Sequence, residues 1–413
     1  MPKVLADITP LRASADFRRL YVGQMISFLG SQLTVVAVPV QVYALTGSSF
    51  AVGLVSLAQL GPLLVGSLVG GAVADAMDRR RLLLVMQVAL ALTSVPLAVN
   101  AMRGDKAALW PVVVFSALAA GFSGVERPAR SAAIPSMFDD AEMLPAAYAL
   151  WQILIQVGSV VGPALSGILL GQVGLAGVYW IDVVSFAAAF VAVLRLRPLA
   201  PEGGGTRAGV SSIAEGLGFL KGRRVIQGVF LVDINAMVFG MPRALFPALG
   251  TGLFGGGELT VGLLFAAPGA GALVGALFTG WVSRVRRQGR AVVIAVVAWG
   301  VAIAGFGLAK WLPLGLLLLA VAGAADVVSA VFRNTVLQTR IPDALRGRLS
   351  AIQISVVTGG PRVGDLESGS VAAVAGPQFS VVSGGIACVV GALILARTHR
   401  PFYDFDSSDP GAI

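Results

Sequence analysis

The chain has 413 residues, of which 56% are hydrophobic and only 12% are charged, and its mean hydropathy is +0.85. This composition excludes a water-soluble globular protein, because such proteins carry about 25% charged residues. The net charge of +9 would suggest nucleic acid in a soluble protein. Here the basic residues belong to loops between apolar segments, so we expect a membrane lipid partner and no nucleic acid.

A membrane-spanning helix needs about 20 mostly apolar residues, and the sequence contains twelve segments of this kind. In chain order they are 20–43, 52–74, 82–102, 109–128, 145–172, 177–195, 225–248, 259–282, 291–309, 312–332, 350–376 and 379–397. The residues before the first segment lack the pattern of a cleaved signal peptide, so we expect that segment to remain as an anchor. The sequence therefore predicts an all-α membrane protein with twelve transmembrane helices.

A polar interval from 198 to 224 divides these segments into six and six. We predict an N-terminal six-helix half at 1–197, a cytoplasmic linker at 198–224, a C-terminal six-helix half at 225–397 and a cytoplasmic tail at 398–413. Short motifs recur at offsets of 198 to 207 residues: Arg127 with Arg333, Ile134-Pro135 with Ile341-Pro342, and Gly162-Pro163 with Gly360-Pro361. Such repeats are typical of transporters built from two pseudo-symmetric halves.

Arginine and lysine are distributed unevenly between the two sets of loops. They concentrate before the first segment and after every second one, whereas the opposite loops hold few, among them Arg103, Lys106 and Lys310. The positive-inside rule then predicts that both termini are cytoplasmic.

Enzyme chemistry is not expected from this sequence. Cys388 and His399 are the single cysteine and the single histidine, which argues against a metal cluster or a Cys/His catalytic site. The sequence has no Walker, HExxH or GxSxG motif, so we expect neither ATP hydrolysis nor a hydrolase. No metal and no cofactor is predicted.

The loop after the second segment carries the most informative motif, which includes Gly71, Asp75, Arg79 and Arg80. It resembles the loop between spans 2 and 3 of the major facilitator superfamily, although Asp78 stands where that family has a second glycine. The resemblance implies the major facilitator fold and a gating role for these four residues. The alternative is that the arginines only anchor the loop on the cytoplasmic side.

A second motif in the fifth segment consists of Gly158, Gly162, Pro163 and Gly167. It resembles the antiporter motif of drug and metabolite exporters, although close helix packing would explain the same small residues. The stretch from Val331 to Arg348 is similar to bacterial siderophore exporters of the enterobactin type.

Charged residues inside the membrane are costly and functional by default. The carboxylates in predicted spans are Asp182, Asp233, Asp326, Asp365 and Glu367. Arg362 and Asp365 are three residues apart, so we expect them to neutralise each other. Glu367 would then exchange the coupling proton. Asp233 and Asp326 are competing carriers, unless they form a structural ion pair.

Further polar residues, most of them amides, lie in predicted spans and are candidates for a substrate cavity, because amides suit the recognition of polar ligands. They are Gln24, Gln32, Glu126, Arg127, Gln152, Gln156 and, in the second half, Asn235. Each glutamine could instead bridge two helices.

Together these features predict a secondary active efflux transporter in a bacterial cytoplasmic membrane. We expect a monomer that exports a siderophore or a similar hydrophobic metabolite by alternating access in exchange for protons. Multidrug efflux is the main alternative, followed by nutrient uptake and by a membrane sensor that binds its ligand without transport.

Overall fold

The computed structural model describes residues 7–200, 218, 220, 222–340 and 343–406, and the regular structure in this part of the chain is helical. Much of the predicted linker (201–217) and the end of the predicted tail (407–413) lie outside the described residues.

The first half contributes six long helices. They are α1 (Ala15–Thr46), α2 (Ser49–Ala76, interrupted at Gln59), α3 (Arg79–Ala101), α4 (Leu109–Ala133), α5 (144–173) and α6 (175–194). The second half also contributes six helices. Its helices are α7 (Arg224–Phe239), α8 (Glu258–Leu277), α9 (Gln288–Leu308), α10 (Leu312–Arg340), α11 (Asp343–Ala375) and α12 (Pro377–Thr398).

The helices confirm the predicted all-α membrane fold. Ten helical stretches in the described residues are long and apolar enough to cross a membrane. One of them contains both α5 and α6. The 33-residue helix α11 is not among the ten, and it carries the charged residues that the sequence places in the eleventh span.

The segment Leu144–Leu194 is helical over 51 residues but changes direction at Gly174, whose φ of 68° only glycine adopts readily. The two arms α5 and α6 both pack on α1. The close approaches join Gly158 to Phe28, Gly162 to Gln32, Gly23 to Ala192 and Gly30 to Ser185. In the contacts between α5 and α1, the residue numbers of both helices increase in the same direction, so the two helices are parallel. In the contacts between α6 and α1 they change in opposite directions, so these two helices are antiparallel. The chain therefore reverses at Gly174, as two consecutive membrane spans require.

Helix α7 is shorter than predicted. It ends at Phe239, where the sequence predicted a span to 248. Gly240 follows, and Pro242 disfavours a helical conformation at the residue before it. The chain continues in short turns, Arg243–Leu245, Phe246–Ala248 and Leu249–Leu253. These turns leave backbone N–H groups available to side chains on other helices.

The chain divides into two compact units. The first contains Met1–Leu45 and Ala58–Ala208, and the second contains Thr46–Leu57 and Gly209–Ile413. The beginning of α2 thus packs with the second unit, where a Cβ on Gly53 would overlap the backbone of Asp365. The predicted boundaries of the halves, linker and tail stay predictions.

Each unit has an aromatic core. In the first unit Phe17 is fully buried, and its ring centroid lies 5.1 Å from that of Phe138. In the second, Phe246 packs edge-on against Phe265 at 5.0 Å and Phe306 at 6.1 Å. These contacts hold the helices in defined rotations about their own axes, and that rotation decides which polar side chains meet.

Candidate functional site

Three charged residues meet inside the second unit. The Nη2 atom of Arg333 on α10 lies 2.9 Å from Oδ1 of Asp233 on α7 and 3.7 Å from Oδ1 of Asp326 on α10. Asp326 and Arg333 are seven residues apart, about two helical turns, and therefore lie on the same face of α10. We call Asp233, Asp326 and Arg333 the C-cluster.

The C-cluster is buried unevenly and carries an excess of negative charge. The side chains of Arg333 and Asp233 are each 5% exposed, whereas that of Asp326 is 31% exposed. Arg333 also receives support from Ser329, to which its Nη1 donates at 2.9 Å. One guanidinium faces two carboxylates, so the cluster has a net charge of −1 when both acids are ionised. Binding one proton removes that charge, and Asp326 is the less buried of the two acids.

A comparable cluster lies in the first unit. Oε1 of Glu126 on α4 accepts hydrogen bonds from Nε2 of Gln24 (2.9 Å) and Nε2 of Gln87 (3.0 Å). Arg130 lies 3.3 Å from the same oxygen and donates to Oε1 of Gln24 at 3.1 Å. The guanidinium also stacks 4.6 Å from the ring centroid of Trp151. This N-cluster (Gln24, Gln87, Glu126, Arg130 and Trp151) has one cation and one anion.

The N-cluster includes only some of the residues that the sequence favoured. Gln24 and Glu126 are brought together, but the arginine that joins them is Arg130, while Arg127 is exposed. Gln87 was not predicted. Its position in the middle of an otherwise apolar span was the available signal, because an amide in hydrocarbon needs a partner.

Asp365 on α11 is held by partners that the sequence did not indicate. Its Oδ2 accepts from Oγ of Ser56 at 2.6 Å, and its Oδ1 accepts from the N–H of Ala244 at 3.1 Å. The second bond is possible because α7 has already ended and the following turn presents its N–H groups. Arg243 and Arg362 both add positive charge near this carboxylate.

That Arg362 and Asp365 neutralise each other stays a prediction, and Arg362 does add positive charge near this carboxylate. The carboxylate also has two hydrogen-bond donors, and Nη1 of Arg362 donates to the carbonyl of Thr358 one turn earlier. Glu367 is half-buried and has no hydrogen-bond or ion-pair partner among the described residues. Its predicted role in proton exchange stays a prediction.

Asp182 on α6 is almost fully buried, with 1% of its surface exposed. Its Oδ2 accepts from the hydroxyls of Thr34 at 2.7 Å and Ser94 at 2.8 Å, and Oγ of Ser185 lies 3.4 Å from its Oδ1. These bonds tie α6 to α1 and α3. All three hydroxyl contacts lie inside the first unit and satisfy the hydrogen bonding of this buried carboxylate.

In the loop between α2 and α3, the aspartate that makes contacts is Asp78. Its Oδ1 accepts from the N–H of Arg81 at 3.0 Å and so caps α3, and its Oδ2 accepts from the N–H of Leu199 at 3.0 Å. Asp75 is exposed and has no partner within the described ranges. The residue that departs from the superfamily pattern is thus the one that organises the loop.

The arginines of this loop contact the end of α6. Arg80 donates to the carbonyls of Val193 at 3.4 Å and Leu194 at 2.7 Å, which are among the last of that helix. The N–H of Arg79 donates to the carbonyl of Leu199 at 3.1 Å. A cation at a helix C-terminus interacts favourably with the helix dipole. Gly71 lies in open space, where a Cβ would meet no neighbouring atom.

The glycines of the α5 motif are points of close helix packing. A Cβ on Gly158 would overlap the ring of Phe28, and a Cβ on Gly162 would overlap the side chain of Gln32. Pro163 and Gly167 are also buried. The small residues let α5 approach α1 closely, whatever further role they have.

The remaining predicted cavity residues are scattered. Gln152 is exposed, while Gln156 and Gln32 are half-buried. Asn235 donates through Nδ2 to the carbonyl of Cys388 at 2.9 Å and joins α7 to α12. Asn235 thus bridges two helices, and its predicted place in a substrate cavity stays a prediction.

The comparisons with known proteins agree with this architecture. The model of a family described as transmembrane secretion effector matches residues 5–412. The chain belongs to this family. Its members are transporters, so the chain is a multi-pass membrane transporter of the major facilitator type and not an enzyme.

The curated relatives of this chain include enterobactin exporters. The chain is 27% identical over 392 residues to the enterobactin exporter EntS of Shigella boydii serotype 18, covering 95% of this chain and 94% of the relative. It is 28% identical over 391 residues to EntS of Citrobacter koseri, with coverage of 95% and 93%. The nucleoside transporter NupG, in the crystal structure of a point mutant, has the same fold, with a TM-score of 0.76, 13% identity and coverage of 92% and 99%.

Proposed function

We propose that this transporter is a proton-coupled antiporter that exports a siderophore or a similar hydrophobic metabolite by alternating access. The observation that carries the proposal is the charge of the C-cluster. Two carboxylates share one guanidinium at 2.9 and 3.7 Å in a buried setting. A net buried charge is costly, which favours the uptake of one proton by the cluster. The shared guanidinium stabilises the ionised carboxylates, which allows the proton to leave again.

Coupling follows from the partial exposure of the cluster. When the proton leaves Asp326, Arg333 must balance two anions, and the most direct relief is a change in conformation that gives Asp326 water or another donor. One proton entering down about 150 mV supplies ~3.5 kcal/mol. That free energy supports a gradient of a few hundredfold for an uncharged substrate.

The N-cluster provides the contrast that supports this assignment. Like the C-cluster, the N-cluster joins the first and fourth helices of its half, here α1 and α4. It contains a single carboxylate, which accepts hydrogen bonds from two amides. It needs no proton to become neutral. Coupling would therefore reside in the second half, and the N-cluster would hold its half together.

Glu367 and Asp365 are secondary candidates for the proton. Glu367 is half-buried on the same helix as Asp365, whose own carboxylate is held by Ser56 and Ala244. Arg362 and Arg243 add positive charge near Asp365. In this proposal these two acids and two arginines balance charge during the transport cycle, while Asp326 exchanges the proton.

The substrate class is proposed from the relatives, which are named as enterobactin exporters. We further propose that both termini are cytoplasmic, that the α2–α3 loop and the α5 motif take part in gating, and that the monomer is the transporting unit. The uneven distribution of basic loops supports the orientation.

The proposal can be tested with purified protein in liposomes that contain a pH-sensitive dye. A gradient of enterobactin should drive proton movement in wild type. Asp326→Asn should abolish that movement while retaining enterobactin counterflow, because a neutral cluster still passes substrate. Glu367→Gln and Asp365→Asn identify any second carrier.

Two control variants sharpen the result. Glu126→Gln alters the neutral N-cluster, and Asp404→Asn removes an exposed acid that pairs with Arg290 at 2.9 Å. Both should keep substrate-driven proton movement. Full coupling in Asp326→Asn would overturn the assignment, and enterobactin binding without any flux in wild type would identify a sensor.

A further inference from the structure

A groove lies between α9 and α10 in the second unit, with a cavity volume of about 570 Å³. Its walls follow one helical face on each side. They are Ala291, Ile294, Ala295 and Ala298 on α9, and Val321, Ala324, Ala325 and Val328 on α10. Both sets have the spacing i, i+3, i+4, i+7, so each forms a continuous stripe. The alanines between the larger side chains give the groove its depth.

The groove faces away from the protein core. Ile294 is 68% exposed and Val321 is 44% exposed. Both belong to helices that are long and apolar enough to cross a membrane. An exposed apolar stripe on such helices suits contact with hydrocarbon, and the groove has the shape to take an acyl chain.

One end of the groove is basic. Arg287 and Arg290 line it there, together with Trp281 and Val285. The segment from 280 to 290 contains four arginines and no acidic residue. Arg290 is paired with Asp404 at 2.9 Å, whereas Arg287 is exposed and has no partner in the described part of the chain.

Trp281 marks the depth of this end. It is 45% exposed, and its ring packs 5.9 Å from that of Phe332. Tryptophan is enriched at the level of lipid headgroups. The basic end therefore lies where a phosphate would be, and the apolar walls lie where its acyl chains would be.

We propose that this groove binds one anionic phospholipid, with the phosphodiester at Arg287 and an acyl chain between α9 and α10. A guanidinium suits a phosphate oxygen pair, and a basic pocket beside membrane helices suits an anionic headgroup. A small soluble anion would leave the two apolar stripes unused.

Native mass spectrometry of the purified full-length protein with phosphatidylglycerol or phosphatidylcholine tests this site. Wild type should retain phosphatidylglycerol in preference to phosphatidylcholine. Arg287→Ala should weaken phosphatidylglycerol binding about fivefold, the effect expected for one surface arginine. Ala298→Phe, which fills the groove, should lower retention of the lipid without changing the loop charge.

Two matched variants serve as controls. Arg103→Ala removes an exposed arginine elsewhere, and Val184→Phe enlarges a side chain on α6 that is 65% exposed and outside the groove. Neither should alter lipid retention. Equal retention of both lipids, unchanged retention in Arg287→Ala and Ala298→Phe, or full displacement by glycerol 3-phosphate would overturn the proposal. Retention is measured without transport, so this result is independent of the proton-coupling test.

Discussion

Arg130 and Arg333, 203 residues apart in sequence, make equivalent contacts in the two halves. Arg130 joins its helix, α4, to Gln24 on α1, and Arg333 joins its helix, α10, to Asp233 on α7. In each half the fourth helix thus binds the first through an arginine. The partner is an amide in one half and a carboxylate in the other, which makes the two halves electrically different.

Loss of Arg333 should destabilise the protein more than loss of Arg130. Arg333→Ala leaves Asp233 buried without its cation, at a cost of about 3–5 kcal/mol. After Arg130→Ala, Glu126 still accepts two amide hydrogen bonds, so the loss should be smaller. Denaturant unfolding in detergent measures both values. Adding Asp233→Asn to Arg333→Ala should recover part of the loss, and a double-mutant cycle without coupling would contradict this ion pair.

Ser56→Ala should loosen the beginning of α2. Ser56 donates to the buried carboxylate of Asp365 at 2.6 Å, and a hydrogen bond to a charged group contributes about 1.5–3 kcal/mol. Hydrogen exchange of residues 46–57 should become faster. Ser67→Ala is the control, because that hydroxyl donates to Leu63 within its own helix. Unchanged exchange in Ser56→Ala would show that the bond does not hold this segment.

Asp78 and Asp75 should differ in their effects on stability. Asp78→Ala removes the cap of α3 and the bond to Leu199, at a cost of about 1–2 kcal/mol. Asp75→Ala changes an exposed side chain and should stay within about 0.5 kcal/mol of wild type. Thermal unfolding compares the two. If Asp75 has the proposed gating role, its variant should lose transport while keeping its stability, whereas full transport would remove it from the gate.

Gly162 should tolerate substitution far less well than Gly171 in the same helix. A Cβ on Gly162 would overlap Gln32 on α1, whereas a Cβ on Gly171 would meet no atom within 4 Å. Gly162→Ala should cost about 1–3 kcal/mol through overpacking. Gly171→Ala should be neutral or slightly stabilising, because alanine favours helix. Equal melting temperatures for the two variants would show that α5 moves away from α1 without penalty.

The fold was largely predictable because membrane helices are encoded locally. The length of each membrane span and its helical structure follow from its own apolar segment, since a backbone in hydrocarbon must satisfy its hydrogen bonds within the helix. The seventh apolar stretch is long enough to cross a membrane, as predicted, but Gly240 and Pro242 end its continuous helix at Phe239. A hydropathy profile does not show such a break, although the glycine and the proline in the sequence indicate it.

The candidate site was predictable only in its residue types. The sequence identified Asp233, Asp326 and Asp365 as costly intramembrane charges, and all three have specific partners. For Asp365 the sequence suggested Arg362 but gave no sign of Ser56, 309 residues away, whose hydroxyl donates to the carboxylate. Similarly, Arg127 was chosen over Arg130, because the sequence does not state how α4 is rotated about its axis.

The sequence by itself determined the membrane-spanning class, the order of the helices and the family resemblance, because these depend on apolar length and on contiguous motifs. Only the tertiary structure decided which polar groups meet. Arg333 reaches Asp233 across 100 residues through the rotation and close approach of two helices. That rotation is set by the packing of many apolar side chains together, a property that no local segment contains.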